Sequence, residues 1–416
     1  MTKPQILMMQ LSELIKNAEI VSKYRTKPSY FTRSTAKMTF DKLVMFQLSL
    51  PKKSAQAAIN DHIREMRYDF TLDKQSLFEA REKLSHKIFA DMNNDLVIKS
   101  AYENTYRTHR GMRMIAVDGS VFDVPYGANY FAKETEHGEV LWQSRVVAFT
   151  DVLNDYIVRA DMQPYGVGET TLAKIMLKDF LKNKSNTDDL FLWDRGFFSR
   201  SLARSLEGNG KFVFRVKHGA LKEIDEANEP DQIIIRKDSG WTDLRLRVIN
   251  IVLPGGEIEK LVTNIFDESF SVADFAEIYS LRWGVEISFL TLKQRLQIEN
   301  FSSAKQELIL QDFFASVFMY NFMIVTAEEV SEVIKVDNMF KKHNYKFNKN
   351  LGIGTVRNLL IDSLLEDDDL KRKKLFEKAL SELSKRVVSI RPGRSFPHSA
   401  KNKSAKFHIN QKSAIS

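Results

Sequence analysis

Between Tyr279 and Lys293, in YSLRWGVEISFLTLK, four side chains recur at helical spacing: Tyr279, Arg282, Glu286 and Lys293. At about 100° per residue they fall inside an arc of about 60° on one helix. That stripe would carry a phenol, two cations and a carboxylate, which together can grip a phosphate and a metal ion. The same spacing also suits a charged outer face laced by pairs such as Arg282 with Glu286. Two aspartates elsewhere give the stripe company. Asp118 closes the apolar run MIAV and precedes Gly119; Asp194 closes FLW and precedes Arg195-Gly196. Side chains at the carboxyl ends of strands converge at one edge of an open α/β sheet, although Asp before Gly is also a common turn signature. Three carboxylates brought together repel one another unless protonated or bridged by cations. With no cysteine and no histidine cluster in the chain, magnesium or manganese bound through oxygen is the natural bridge. Two such ions about 3.5 to 4 Å apart can activate an attacking hydroxyl and stabilise the leaving oxygen of a phosphodiester. Arg282, Lys293 and the Tyr279 hydroxyl could then hold the neighbouring phosphate.

The elements that must position these groups read as follows. Residues 1 to about 105 are helices joined by short turns, with Leu43, Val44, Phe46, Leu48 and Leu50 too dense for a loop. Ser54–Met66 and Asp73–Phe89 are amphipathic and separated by a short link, which permits a helix-turn-helix arrangement. The second carries Lys74, Gln75, Arg81, Lys83 and Lys87, which could read base edges or phosphates or could simply form a basic outer face. From Arg113 the period becomes that of strands. Met114–Val117 and Val121–Val124 flank an Asp118-Gly119-Ser120 turn, followed by strands Leu141–Asp151 and Tyr156–Ala160. A helix over Thr170–Leu181, a strand Asp189–Trp193, a helix Ser199–Leu206 and a strand Lys211–Val216 complete an α/β layer with a mixed sheet. His218–Asn264 alternates and is polar, with turn signals at Asp238-Ser239-Gly240 and Pro254-Gly255-Gly256, as an all-β insertion would. Ser271 and Asp274 form a capping box that opens one long helix bearing the stripe. An apolar helix follows from about Lys305; its uncharged run Phe313–Ala327 is shorter than the about 20 residues that span a bilayer and reads as a buried core helix. Asp367–Ser384 alternates acidic and basic clusters on a surface helix.

Composition bounds the partners. The 416 residues, 43% hydrophobic and 28% charged, suit two or three folded domains. The net charge of +8 is uneven: Lys385–Ser416 holds eight Lys or Arg and no Asp or Glu. Such an arm, with a pI near 9.2, suits a polyanion such as nucleic acid or a solubilising tail. The opening MTKPQILMMQ is no export leader, so a cytoplasmic protein without a membrane role is expected. No G-x-G-x-x-G or P-loop fingerprint points to a nucleotide enzyme.

The order Asp118, Asp194, Glu286, with Tyr-x2-Arg-x3-Glu-x6-Lys around the last, resembles the bacterial insertion-sequence DDE transposases that carry the YREK signature and work through DNA hairpins. Phe31-Thr32-Arg33, the Asp-Gly-Ser and Asp-Arg-Gly turns, the β insertion and Arg391-Pro392-Gly393-Arg394 are similar to that family as well. The resemblance implies a ribonuclease-H-like α/β catalytic core at 106–217 and 265–335, interrupted by the insertion at 218–264. A helical DNA-binding region would occupy 1–105, and a helical region with a basic tail 336–416. It further implies that Asp118, Asp194 and Glu286 bind two Mg2+ or Mn2+ ions and that Tyr279, Arg282 and Lys293 contact DNA near the cut. A homodimer would act on paired terminal inverted repeats of double-stranded DNA and join them to target DNA in the bacterial nucleoid. Trp283 is weighed both as the aromatic residue that stacks on an extruded base and as a core anchor of its helix. Trp241, in the β insertion, lies well upstream of the position some relatives use for that purpose. Two other readings keep much of this picture: a ribonuclease-H-fold nuclease without strand transfer, and a non-catalytic DNA-binding protein derived from a transposase.

Overall fold

Local signals start the first helices. Gln5 reaches back to accept from the Thr2 N–H at 2.9 Å at the start of α1 (Lys3–Lys16), and Asn17 accepts from the N–H groups of Glu19 and Ile20 to cap α2 (Ala18–Tyr24). α3 (Phe40–Leu48), α4 (Ala55–Glu65) and α5 (Lys74–Arg81, capped by Asp73) follow. α6 (Lys87–Met92) continues through a π-helical turn, Asn93–Ile98, into α7 (Lys99–Ala101). The computed structural model describes residues 1–389 apart from 34, 51, 104, 183–187, 238, 338–343 and 367, so Arg391-Pro392-Gly393-Arg394 and most of the basic arm lie outside the described residues.

Next come β1 (Arg113–Asp123), a two-stranded ribbon of β2 (Lys133–Glu134) and β3 (Val140–Leu141), then β4 (Gln143–Asp151) and β5 (Tyr156–Pro164). α8 (Glu169–Lys182), β6 (Asp189–Trp193), α9 (Arg200–Leu206), β7 (Lys211–Val216) and α10 (Lys222–Asp225) continue the chain into β8 (Asp231–Arg236), β9 (Leu244–Val252) and β10 (Ile258–Thr263). α11 (Val272–Ser280) and α12 (Gly284–Leu290) lead to α13 (Gln306–Asp337). The described chain ends with β11 (Tyr345–Phe347), α14 (Lys349–Leu365), α15 (Asp369–Ser384) and β12 (Val387–Ser389). Two compact units result: one of Met1–Asn104, Val124–Asn129 and Leu292–Ser416, the other of Thr105–Asp123 and Tyr130–Thr291.

In the second unit eight strands form one sheet in the order β5-β4-β1-β6-β7-β10-β9-β8. β1, β6 and β7 run parallel and every other neighbouring pair is antiparallel, so the sheet is mixed. Met114, Ile115, Ala116 and Val117 of β1 are buried, as is all of β6, which suits central strands covered on both faces. α8 lays Leu172, Ala173, Met176, Leu177 and Phe180 against β4 and β5. Phe180 begins a chain of ring contacts through Phe149, Phe191 and Trp193 to Phe214. One expectation changes here: the 218–264 insertion is not all β, because it includes the short helix α10, and its β10 pairs with β7, so the insertion widens the main sheet. Thr263 and Asn264 fix that join, the Thr263 hydroxyl donating to the Phe212 carbonyl at 2.6 Å and the Asn264 side chain accepting from the Phe212 N–H at 2.9 Å.

In the first unit the central element is α13. Its Gln306–Ser331 stretch is long and apolar enough to cross a bilayer, yet 94% of its most apolar window is buried within the protein, as a core helix requires. Three polar residues on it, Gln311, Asp312 and Asn321, are buried and meet polar side chains of the N-terminal helices. The expected helix Asp73–Phe89 is broken after Arg81, where Leu84 forms a β-bridge with Arg25. Arg81 is not on a basic outer face either. It is 1% exposed, pairs with Asp312 at 2.9 Å and donates to Gln311 and Ser302. Taking a guanidinium out of water demands such partners, which outweigh the helix-face pattern.

Candidate active site

Register brings the two aspartates together. Val117 of β1 is paired with Trp193 of β6 in the last rung of their parallel ladder, so Asp118 and Asp194 are the next residue on each chain. Asp194 leaves the sheet in the expected turn, its carbonyl accepting from the Phe197 N–H at 3.0 Å. Asp118 does not. The expected Asp118-Gly119-Ser120 turn is absent: β1 runs straight through to Asp123, with Asp118 opposite Ala148 and Ser120 opposite Val146 in β4. The antiparallel partner keeps the backbone extended where the three residues alone would favour a bend. What ends beside Asp118 is its other neighbour, β6.

The stripe-bearing segment starts as its sequence implies. The Ser271 hydroxyl accepts from the Asp274 N–H at 3.2 Å, and Asp274 accepts from the Ser271 N–H at 2.7 Å. It is not one regular helix, however. α11 gives way to a 3-10 turn over Leu281–Trp283, then α12, then a π-helical turn over Thr291–Arg295. Gly284 lies at the first of these joints, where a Cβ would come 2.9 Å from the Val152 side chain. Only a glycine lets the segment come this close to the end of β4, and that approach lowers Arg282 onto the sheet edge. The π turn advances less than 100° per residue, so the regular stripe does not extend to Lys293. Lys293 lies in the other unit, 3.4 Å from the Glu299 carboxylate.

Tyr279, Arg282 and Glu286 do meet the aspartates. The buried Tyr279 hydroxyl donates to Asp194 at 3.4 Å. Arg282, only 4% exposed, donates from Nη2 to Glu286 Oε1 at 3.0 Å while Nη1 stands 3.6 Å from Asp118 Oδ2. Its guanidinium also lies 6.0 Å from the Tyr279 ring centre and 5.1 Å from that of Trp283. The Arg282–Glu286 pair expected of a solvated face is therefore present, but its arginine is buried and shared with Asp118. Trp283 is 53% exposed, which sets aside its reading as a core anchor. Trp241, 71% exposed between β8 and β9, has the Arg204 guanidinium 5.7 Å from its ring centre.

The electrostatics are those of crowded, half-buried acids. Burial pushes the Asp118 carboxyl up to about 6; the Gly119 N–H and Arg282 resist the shift, and the Glu169 and Asp194 carboxylates reinforce it. Glu169 is raised by burial and by Asp194 against the pull of Arg145. Tyr279 is raised above the ordinary phenol range, chiefly by burial. Burial alone would lower Arg282, yet Tyr279, Asp194, Glu286 and Asp118 together hold it above its ordinary value. Glu169 is the participant that sequence reasoning missed. Its one signal was an acid at the first position of a helix after Gly166-Val167-Gly168, which reads as a complement to the helix dipole.

As they stand, no three acids or imidazoles among the described residues converge enough to enclose a metal ion. A guanidinium instead lies between Asp118 and Glu286. The donors are all carboxylate oxygens, the set that suits a hard divalent cation, and the buried cation among them is an arginine.

The family model described as the transposase DDE domain matches residues 109–322, more than half of the chain and all of β1 through α12. The chain belongs to the DDE transposase family. Members of that family use divalent metal ions, in keeping with the donors around Asp118. The chain is similar to the transposase InsG for insertion sequence element IS4 of Escherichia coli (strain K12), at 24% identity over 245 residues that make up 54% of each protein. It thus spans about half the length of that curated relative. Its fold is similar to the cryo-EM structure of the piggyBac transposase synaptic complex with hairpin DNA, with a TM-score of 0.50 and 14% identity over 95% of this chain and 88% of that one. The mixed eight-stranded sheet with its flanking helices is the ribonuclease-H-like core of a DDE transposase.

Proposed function

We propose that this DDE transposase cuts the ends of a transposon and joins them to target DNA, using divalent metal held by Asp118, Asp194 and Glu286. The observation that carries the reading is that Arg282 and Tyr279 gather those three acids, from two neighbouring strands and a remote helix, at one edge of the sheet. Magnesium or manganese, two ions at once, would supply an activated hydroxyl and a stabilised leaving oxygen for phosphodiester exchange. The protein's own groups do the rest. The acids would hold the cations; Tyr279 and Arg282 would grip the phosphate beside the cut. Arg282 balances the acids until cations and phosphate arrive. The half-exposed Trp283 offers a ring face to an extruded base when the DNA end is bent sharply.

The strand chemistry we propose runs through a hairpin. A nick frees a 3′ hydroxyl, which attacks the opposite strand; water reopens the hairpin, and the 3′ end is then joined to target DNA. The piggyBac transposase of similar fold was captured with hairpin DNA, the form through which this route passes. The helical region at 1–105 and the basic arm hold the double-stranded ends, and two copies of the chain pair them. The test is end cleavage in magnesium by Asp118→Asn and Glu286→Gln. Both should fall to background while still binding the ends, and undiminished cutting by either removes the metal site. Wild-type products separate the alternatives: hairpins and joined strands belong to a transposase, nicks alone to a nuclease, and end-specific binding without cutting to a non-catalytic derivative.

A further inference from the structure

Glu169 occupies a place that the three-acid reading leaves unused. As the first residue of the fourteen-residue α8, it packs over Gly119 of β1. Its carboxylate fills the space that a side chain at position 119 would take: a Cβ on Gly119 would lie 1.9 Å from Glu169 Oε1 and 2.5 Å from its Cδ. Gly119 keeps extended strand backbone and is paired with Val147, so conformational freedom does not explain a glycine here. Space does. Asp118 is the preceding residue, and the field of the Glu169 carboxylate reaches both Asp118 and Asp194. An acid that only complemented a helix dipole would stay in water, whereas this one is half-buried against other acids. The Arg282 guanidinium, 4% exposed and paired with Asp118 and Glu286, shows that this edge of the sheet draws positive charge out of water.

On the reading given above for this site, we propose that Glu169 is a fourth carboxylate of the metal centre, sharing a divalent cation with Asp118 and Asp194, and that position 119 is glycine to admit it. The test is binding of Mn2+ alone to the full-length chain, followed by loss of the free-ion electron paramagnetic resonance signal. Melting curves confirm that each variant folds. Glu169→Gln should weaken Mn2+ binding by about tenfold or more, the range seen when groups supporting a metal site are removed. Gly119→Ala keeps every charge but pushes the Glu169 carboxylate aside, and it should weaken binding likewise; it answers the same question if Glu169→Gln does not fold. Binding that is weakened in Asp118→Asn but unchanged in folded Glu169→Gln or Gly119→Ala overturns the fourth carboxylate and leaves the three-acid site standing. A lowered melting temperature with unaltered Mn2+ affinity has the same meaning, since it assigns Glu169 a structural role. A wild-type chain that takes up no Mn2+ overturns the parent reading and this one with it.

Discussion

Arg282 shows how a side chain can be legible in type and hidden in context. Its spacing from Tyr279 and Glu286 is plain in the sequence, and the structure does join the three. What spacing could not tell is that the guanidinium is buried and reaches Asp118, 164 residues earlier in the chain, because burial is decided by the sheet beneath it. Removing it should leave crowded acids without a counter-charge. We expect Arg282→Ala to cost about 2–3 kcal/mol in chelator, less than the about 3–5 of a fully buried pair because Glu286 stays 44% exposed. Magnesium should restore much of the lost melting temperature in that variant; no recovery would make Arg282 a packing residue only. Glu169 was illegible for a different reason, since nothing in its own neighbourhood separates a site acid from a dipole partner. His62 allows a test free of the site. It is 3% exposed in α4, its ring nitrogens have no partner among the described residues, and burial lowers it to about 4. The fold holds it neutral, so its contribution is complete above its unfolded value of about 6.5 and is lost as pH falls through that value toward 4, about 3 kcal/mol in all. Denaturant melts from pH 7 to 4 should show this loss, and His62→Phe, packed against Phe46 and Tyr68, should flatten it.

Elements with local causes were the readable ones. The Ser271–Asp274 box needs only its own residues, the strand Asp189–Trp193 is marked by its own apolar run, and both lie where their sequences put them. Elements decided by distant partners were not. Asp118-Gly119-Ser120 reads as a turn until β4 is laid beside it, and Arg81 reads as a surface cation until Asp312 arrives. The same reasoning predicts which substitutions hurt. At the Gly284 joint a methyl group would meet Val152 in a well-packed place, so Gly284→Ala should cost about 1–3 kcal/mol and, by lifting Arg282 and Glu286, slow end cleavage more than it weakens end binding. Cleavage equal to wild type would show that the joint adapts. Asp312→Ala should cost about 3–5 kcal/mol by stranding a buried guanidinium, whereas Arg81→Met combined with Asp312→Leu should regain most of it. Chemical denaturation of the three proteins decides this.

At the scale of the molecule, composition foretold the polyanion-friendly charge and a folded chain, but it could not foretell how the units are cut from the sequence. The regular alternation of 218–264 marks strands but not their partners, and β10 extends the main sheet on β7. Residues 390–416 carry six of the Lys and Arg residues and no acid. A chain ending at Ser389 should therefore bind nonspecific duplex DNA more weakly, with a salt dependence shallower by about 0.9 in slope for each phosphate it no longer neutralises. Fluorescence anisotropy across a salt series measures it, and an unchanged slope would remove the arm from the DNA interface. The discontinuous first unit has a consequence for how the protein is made. Arg81, Gln47 and Asn93 find their buried partners on α13, more than 220 residues downstream. At about 5–20 residues per second a ribosome needs on the order of ten seconds or more to deliver that helix. Until then the N-terminal helices are an open half-core for chaperones to hold, and a message that stops early yields a fragment for proteases rather than a competitor for DNA.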